Sequence, residues 1–149
     1  VETDCGALRA VHTPGHPPEP LCFHWLSTRA LLAGDLLLGE GDTTWVAEYK
    51  GCMADYLGSL RLVRDLELDV IYPAHGPPLE DPGDAITRFE AHKRVRIRQV
   101  EEALKALPGA EVHALLDHVY GDTVPQGLRP AAVRSLGALV DYVRETGHS

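Results

Sequence analysis

The sequence predicts an α/β fold of the α+β kind: an open sheet backed by helix, followed by a helical unit. Three observations predict it. Apolar residues fill short, turn-bounded segments through the first 33 residues, as strands do. Helical spacing over 52–66 then lies between two further strand-like segments, which makes a strand–helix–strand crossover. Beyond Asp81 the strand signals stop, and apolar residues recur at a 3.6-residue period almost to the end.

The elements follow in order. Leu8, Ala10 and Val11, with Leu21, Phe23 and Trp25, mark two strands joined by the Gly/Pro loop 13–20. Ala30 to Ala33 is a third strand, after the polar turn Ser27-Thr28. Cys52 to Leu66 is a helix, with Met53, Leu57, Leu60 and Val63 or Arg64 at helical spacing. Asp69 to Tyr72 is a fourth strand, parallel to the third by the crossover rule. Asp81 and Pro82 make an N-cap and first-turn pair. The helix they start runs to Leu107, with Ile86, Phe89, Ile97, Val100 and Leu104 on one face, and Pro108-Gly109 stops it. Glu111 to Val119 and Pro130 to about Glu145 are two more helices.

Three of these segments end in a metal-ligand side chain beside a glycine: His12-Thr13-Pro14-Gly15-His16, Ala33-Gly34-Asp35 and Ala74-His75-Gly76. Glycine permits the sharp turn that aims such a side chain into a pocket. If the first three strands run up, down and up, the His16 loop and the end of the third strand share one sheet edge. The parallel fourth strand delivers His75 to that edge too. Open α/β sheets place their sites at such carboxyl ends. His, Asp, His is a ligand set for a hydrolytic metal ion.

In order and spacing, His16 in T-P-G-H, Asp35 in G-D and His75 in P-A-H-G resemble the second half of a metallo-β-lactamase-fold hydrolase. Residues 35–60, from Gly34-Asp35 through Gly39-Glu40-Gly41 to Tyr56-Leu57-Gly58-Ser59-Leu60, look closer to the beta-lactamase-like protein 2 subgroup. So does the helix carrying Phe89, His92 and Arg96. The resemblance implies half of an αββα sandwich over residues 1–81. Over 82–149 it implies a connecting helix and a winged-helix-like domain, incomplete because the wing strands should follow the third helix. It implies two zinc ions in the complete protein, other divalent metals being alternatives. His16 would serve the first ion, Asp35 would bridge both, and His75 would complete the second site. Asp35 and His75 are thereby the catalytic positions.

The family's remaining ligands come from an H-x-H-x-D-H motif that this sequence lacks. The expectation is therefore a fragment without its N-terminal half, weak in metal binding and inactive alone. Two readings of function follow. The first is a dinuclear-zinc hydrolase cleaving an ester, thioester, lactam or phosphodiester, endoribonuclease action on single-stranded RNA included. The second is a non-catalytic scaffold or interaction module that works through the helical C-terminal unit.

Composition constrains partners. Residues 1–81 carry 5 Lys+Arg and 13 Asp+Glu, whereas 82–149 carry 9 of each, so the net charge of −8 lies wholly in the first part. An acidic half suits a cation site and does not bind nucleic acid unaided. A four-stranded half-sandwich leaves one apolar face bare, and that face needs a missing half or a second copy over it. Three cysteines without a C-x-x-C, and no long apolar run, predict a reducing compartment and no membrane span: cytoplasmic, or mitochondrial in a eukaryote.

Other singled-out residues have plainer roles. His12 is read as structural within its loop, His24 as packed, His92 as lying between the long helix and the sheet unit, and His113, His118 and His148 as solvated. Cys5, Cys22 and Cys52 are ordinary thiols. In Lys93-Arg94-Val95-Arg96-Ile97-Arg98, Arg94 and Arg98 share a solvent face. Lys93 falls on the apolar stripe, where it must snorkel or find an acid. This run is either a solvated face with one ion pair between units or the phosphate-contacting patch of a nuclease.

Overall fold

A computed structural model describes residues 2–4, 6–17 and 20–147. Five strands form one sheet in the order β1 (Glu2–Thr3), β2 (Gly6–His12), β3 (Leu21–Trp25), β4 (Ala30–Gly34), β5 (Val70–Pro73). The first four run antiparallel to their neighbours and β5 is parallel to β4, through helix α1 (Cys52–Arg64). The sequence reading holds for β2 to β5. It missed β1, a two-residue pairing of polar Glu2 and Thr3 with no apolar signature.

Helix α2 (Pro82–Ala106) starts as its sequence dictates, with the Asp81 carboxylate accepting from the Asp84 amide at 2.9 Å and Pro82 in the first turn. Helices α3 (Val112–Tyr120) and α4 (Arg129–Thr146) pack on it and on each other. The α1 helix ends two residues earlier than the periodicity predicts. There the Asp65 and Leu66 amides turn back onto the carbonyls of Arg61 and Val63. No helix among the described residues is long and apolar enough to cross a membrane.

The sheet's two faces differ. Val11, Cys22, Leu31, Ala33 and Ile71 point toward the helices and are buried with Tyr56, Leu60 and Phe89. On the other face, Leu32 pairs with both Phe23 and Tyr72, and Leu21 with His12. Leu21, Leu32 and Tyr72 there are 50%, 40% and 44% exposed. Helix α2 is tied to α1 by the Glu90 carboxylate, which accepts from Arg64 at 2.6 Å and from Arg94 at 2.5 and 2.9 Å. Cys5 and His148 lie outside the described residues.

Candidate metal centre

The site stands where three chain segments leave the sheet on one edge. The loop after β2 carries His16. Gly34 ends β4 and Asp35 follows. In β5 a register shift pairs Pro73 with Gly34, and the Ala74 amide then donates to the Gly34 carbonyl at 2.8 Å. That last bond sets His75 beside Asp35. Two glycines are required by this packing. Gly15 has φ 133°, and a Cβ there would lie 2.5 Å from the Tyr56 Cα. Gly76 has φ 84°, and a Cβ there would lie 2.8 Å from the Gly39 Cα, where loop 36–51 crosses behind His75.

The three predicted side chains meet in pairs. His16 Nε2 is 3.9 Å from Asp35 Oδ2, and His75 Nε2 is 3.6 Å from Asp35 Oδ1. These distances are too long for hydrogen bonds. They are close to the ~3.3–3.5 Å edge between two ligands each ~2.0–2.2 Å from a tetrahedral zinc. The two carboxylate oxygens address different histidines, which is the arrangement of a bridging ligand.

Two further observations fit a cation. Asp35 Oδ1 is buried and has no hydrogen-bond partner among the described residues. A buried acceptor without a donor is costly unless another group satisfies it. On His16, Nδ1 donates to the Trp45 carbonyl at 2.6 Å, which fixes the tautomer and leaves the Nε2 lone pair facing Asp35. The Thr44 hydroxyl donates to the Asp35 carbonyl at 2.8 Å and holds that residue's backbone.

The set is nonetheless incomplete. Among the described residues, no group of three or more His, Cys, Asp or Glu is placed to hold an ion. Each pair supplies two ligands where a site needs three or four. His75 is also open, its side chain 77% exposed, against 29% for His16 and 33% for Asp35.

Sequence reasoning missed Thr44 and Trp45. Their contribution is a backbone carbonyl and one hydroxyl on a loop without regular structure, and no residue pattern announces either. His12 is exposed, with no ring hydrogen bond among the described residues; Pro18 and Glu19 of its loop lie outside them. His24 is packed, as read, and neither ring nitrogen has a partner among the described residues. Burial, with Arg9 adding to it, holds His24 below the ordinary histidine range. Cys22 and Cys52 are free buried thiols, both pushed up by burial.

The open sheet thus brings His16, Asp35 and His75 to one edge, at the carboxyl ends of β2, β4 and β5. Residues 2–75 match the model of the metallo-beta-lactamase superfamily, and the chain belongs to that superfamily. It is 30% identical over 147 residues to a beta-lactamase-like protein 2 homolog of Caenorhabditis elegans, covering 99% of this chain and 48% of that protein. It is 33% identical to an atrochrysone carboxyl ACP thioesterase of Paecilomyces divaricatus, covering 95% of this chain and 46% of that one. Among solved structures, a metallo-beta-lactamase family protein from Thermus thermophilus superposes with a TM-score of 0.77 at 29% identity, over 94% of this chain and 44% of that one. The chain thus spans about half the length of the curated relatives it matches.

Proposed function

We propose that this chain supplies one half of a dinuclear metal centre in a hydrolase that cleaves an ester or thioester. The observation that carries the reading is the split carboxylate: Asp35 Oδ1 faces His75, Oδ2 faces His16, and Oδ1 lacks any donor among the described residues. His16 and Asp35 would hold one ion, Asp35 and His75 the other. When bound, two such ions supply a hydroxide nucleophile near neutral pH. The chain's own residues do the positioning. Trp45 orients His16, Thr44 steadies Asp35, and the Gly39 amide, donating to the His75 carbonyl at 2.8 Å, anchors the third ligand. The further ligands, and cover for the bare sheet face, would come from an N-terminal half. The coverage of about half of each relative supports that arrangement.

The thioesterase relative favours acyl transfer to water over phosphodiester cleavage. In the basic helix Arg94 is committed to Glu90 and Lys93 is buried, so phosphate contact would fall to Arg96 and Arg98.

The test is hydrolysis of a small thioester by the full-length protein. Asp35→Asn keeps the shape and removes the bridging charge. It should cut turnover by more than the ~10–100-fold that loss of an outer-shell partner costs. Thr44→Val should cost about tenfold, within that outer-shell range. Turnover unchanged in Asp35→Asn would end the reading. An RNA-cleaving activity that falls with Arg98→Ala while thioester turnover stays would move the substrate class to nucleic acid.

A further inference from the structure

On the helix side of loop 38–45, a cavity of about 560 Å³ lies between that loop and helices α1, α2 and α4. Its volume falls within the ~300–1,000 Å³ of small-molecule sites. Much of its wall is apolar, from Met53, Val124, Ala132 and Leu139, with the Trp45 and Tyr120 rings beside them. One wall is cationic and carries Lys93 and Arg96, one turn of α2 apart, with His92 next to them.

These cations are not balanced. No Asp or Glu among the described residues lines the cavity. Among the described residues neither Lys93 nor Arg96 forms an ion pair. Glu90, three residues before Lys93, is spent on Arg64 and Arg94, and Asp42 is spent on Arg88. Lys93 is only 5% exposed, and it donates to Thr43 Oγ1 at 3.0 Å and to the Thr44 carbonyl at 2.8 Å. Both acceptors are neutral. Its ammonium stands 5.4 Å from the centre of the Tyr56 ring. Arg96 donates to neutral Gln99 at 2.9 Å and stacks 4.7 Å over Tyr120. His92 Nδ1 is buried without a partner among the described residues. Burial pushes Lys93 down to about 8, with Cys52 opposing the shift and Arg96 adding to it.

A buried charge is normally paired or neutralised. In a chain of net charge −8, leaving two adjacent cations unpaired at an apolar cavity favours an anion as the missing partner. The apolar walls set what the anion is attached to. We propose that this cavity binds an amphipathic carboxylate, with the head on Lys93 and Arg96 and an apolar or aryl body against Met53, Ala132 and Leu139.

None of His16, Asp35 and His75 lines the cavity, although Thr44 and Trp45, which brace Asp35 and His16, are shared with it, so the test reads binding and avoids activity. Calorimetric titration of the full-length protein with 2-naphthoate, 2-naphthamide and inorganic phosphate separates head from body. The expected result is one naphthoate per chain, bound at least tenfold more tightly than the neutral amide, with phosphate weaker than naphthoate. Lys93→Met and Arg96→Gln should each shrink that preference while naphthamide affinity holds. Ala132→Phe should weaken both aromatic probes. Arg96 is half-exposed, so Arg96→Gln carries the test if Lys93→Met does not fold. Asp35→Asn should leave the preference intact. Equal binding of naphthoate and naphthamide would overturn the proposal. So would a preference that survives both cation variants, phosphate binding as tight as naphthoate, or loss of the preference in Asp35→Asn.

Discussion

The two faces of one sheet meet opposite fates in this chain. Leu31 and Leu32 are adjacent in β4 and chemically identical. Leu31 is 0% exposed beneath the helices, and Leu32 is 40% exposed beside Phe23 and Tyr72. An antiparallel sheet with one wet face alternates apolar and polar residues. Here the outer positions Leu21, Phe23, Leu32 and Tyr72 stay apolar or aromatic. A face built that way is suited to burial against a further layer.

The largest expected effect breaks the symmetry directly. Leu31→Ala should destabilise the chain by ~2–5 kcal/mol, as truncation of a packed core leucine does. Leu32→Ala in the same chain should stay within about 0.5 kcal/mol, the range of a surface change. Urea unfolding of both variants measures the difference. In the full-length protein, with the outer face covered, the Leu32→Ala cost should rise toward that of Leu31→Ala. A Leu32 cost that stays small there would mean that the face is never packed.

A second effect concerns the helix side. Lys93 titrates near 8 when folded and at ~10.4 when unfolded. Between those values the unfolded chain holds more protons, so stability rises with pH through that window. The rise should approach ~3 kcal/mol as an upper bound. Lys93→Met should flatten it. Denaturation midpoints at pH 7.5 and 10 provide the comparison. An identical slope in the variant would show that Lys93 is solvated.

The smallest effect comes from His24 on the same buried face. Its folded value is depressed by burial, so the unfolded chain takes up its proton first as pH falls. Stability should drop below about pH 6.5 and level off once the folded value is passed. The loss should be absent in His24→Leu. Thermal melts between pH 7.5 and 5 read it.

Much of this was legible in the residues because it depends on local chemistry. The β2 to β5 order followed from alternation and one crossover. The His16, Asp35 and His75 positions followed from three strand-end glycine motifs. What was not legible depends on tertiary neighbours. β1 pairs through backbone alone, and Glu2 and Thr3 carry no strand signal. Trp45 acts on His16 through its carbonyl, a group every residue has. Lys93 falls on the apolar stripe, as read, where it must snorkel or find an acid; among the described residues no acid pairs with it, and two threonine-loop acceptors hold it. Arg94 faces solvent, as read, and it also closes on Glu90 four residues away, the spacing that favours such a pair.

The central claim is that His16, Asp35 and His75 form two incomplete ligand pairs around a shared carboxylate. Calorimetric titration of the 149-residue chain with zinc tests it most directly. The account predicts weak binding that weakens further in Asp35→Asn, because one substitution removes a ligand from both pairs. Tight, stoichiometric uptake of two ions, or binding indifferent to Asp35→Asn, would contradict it.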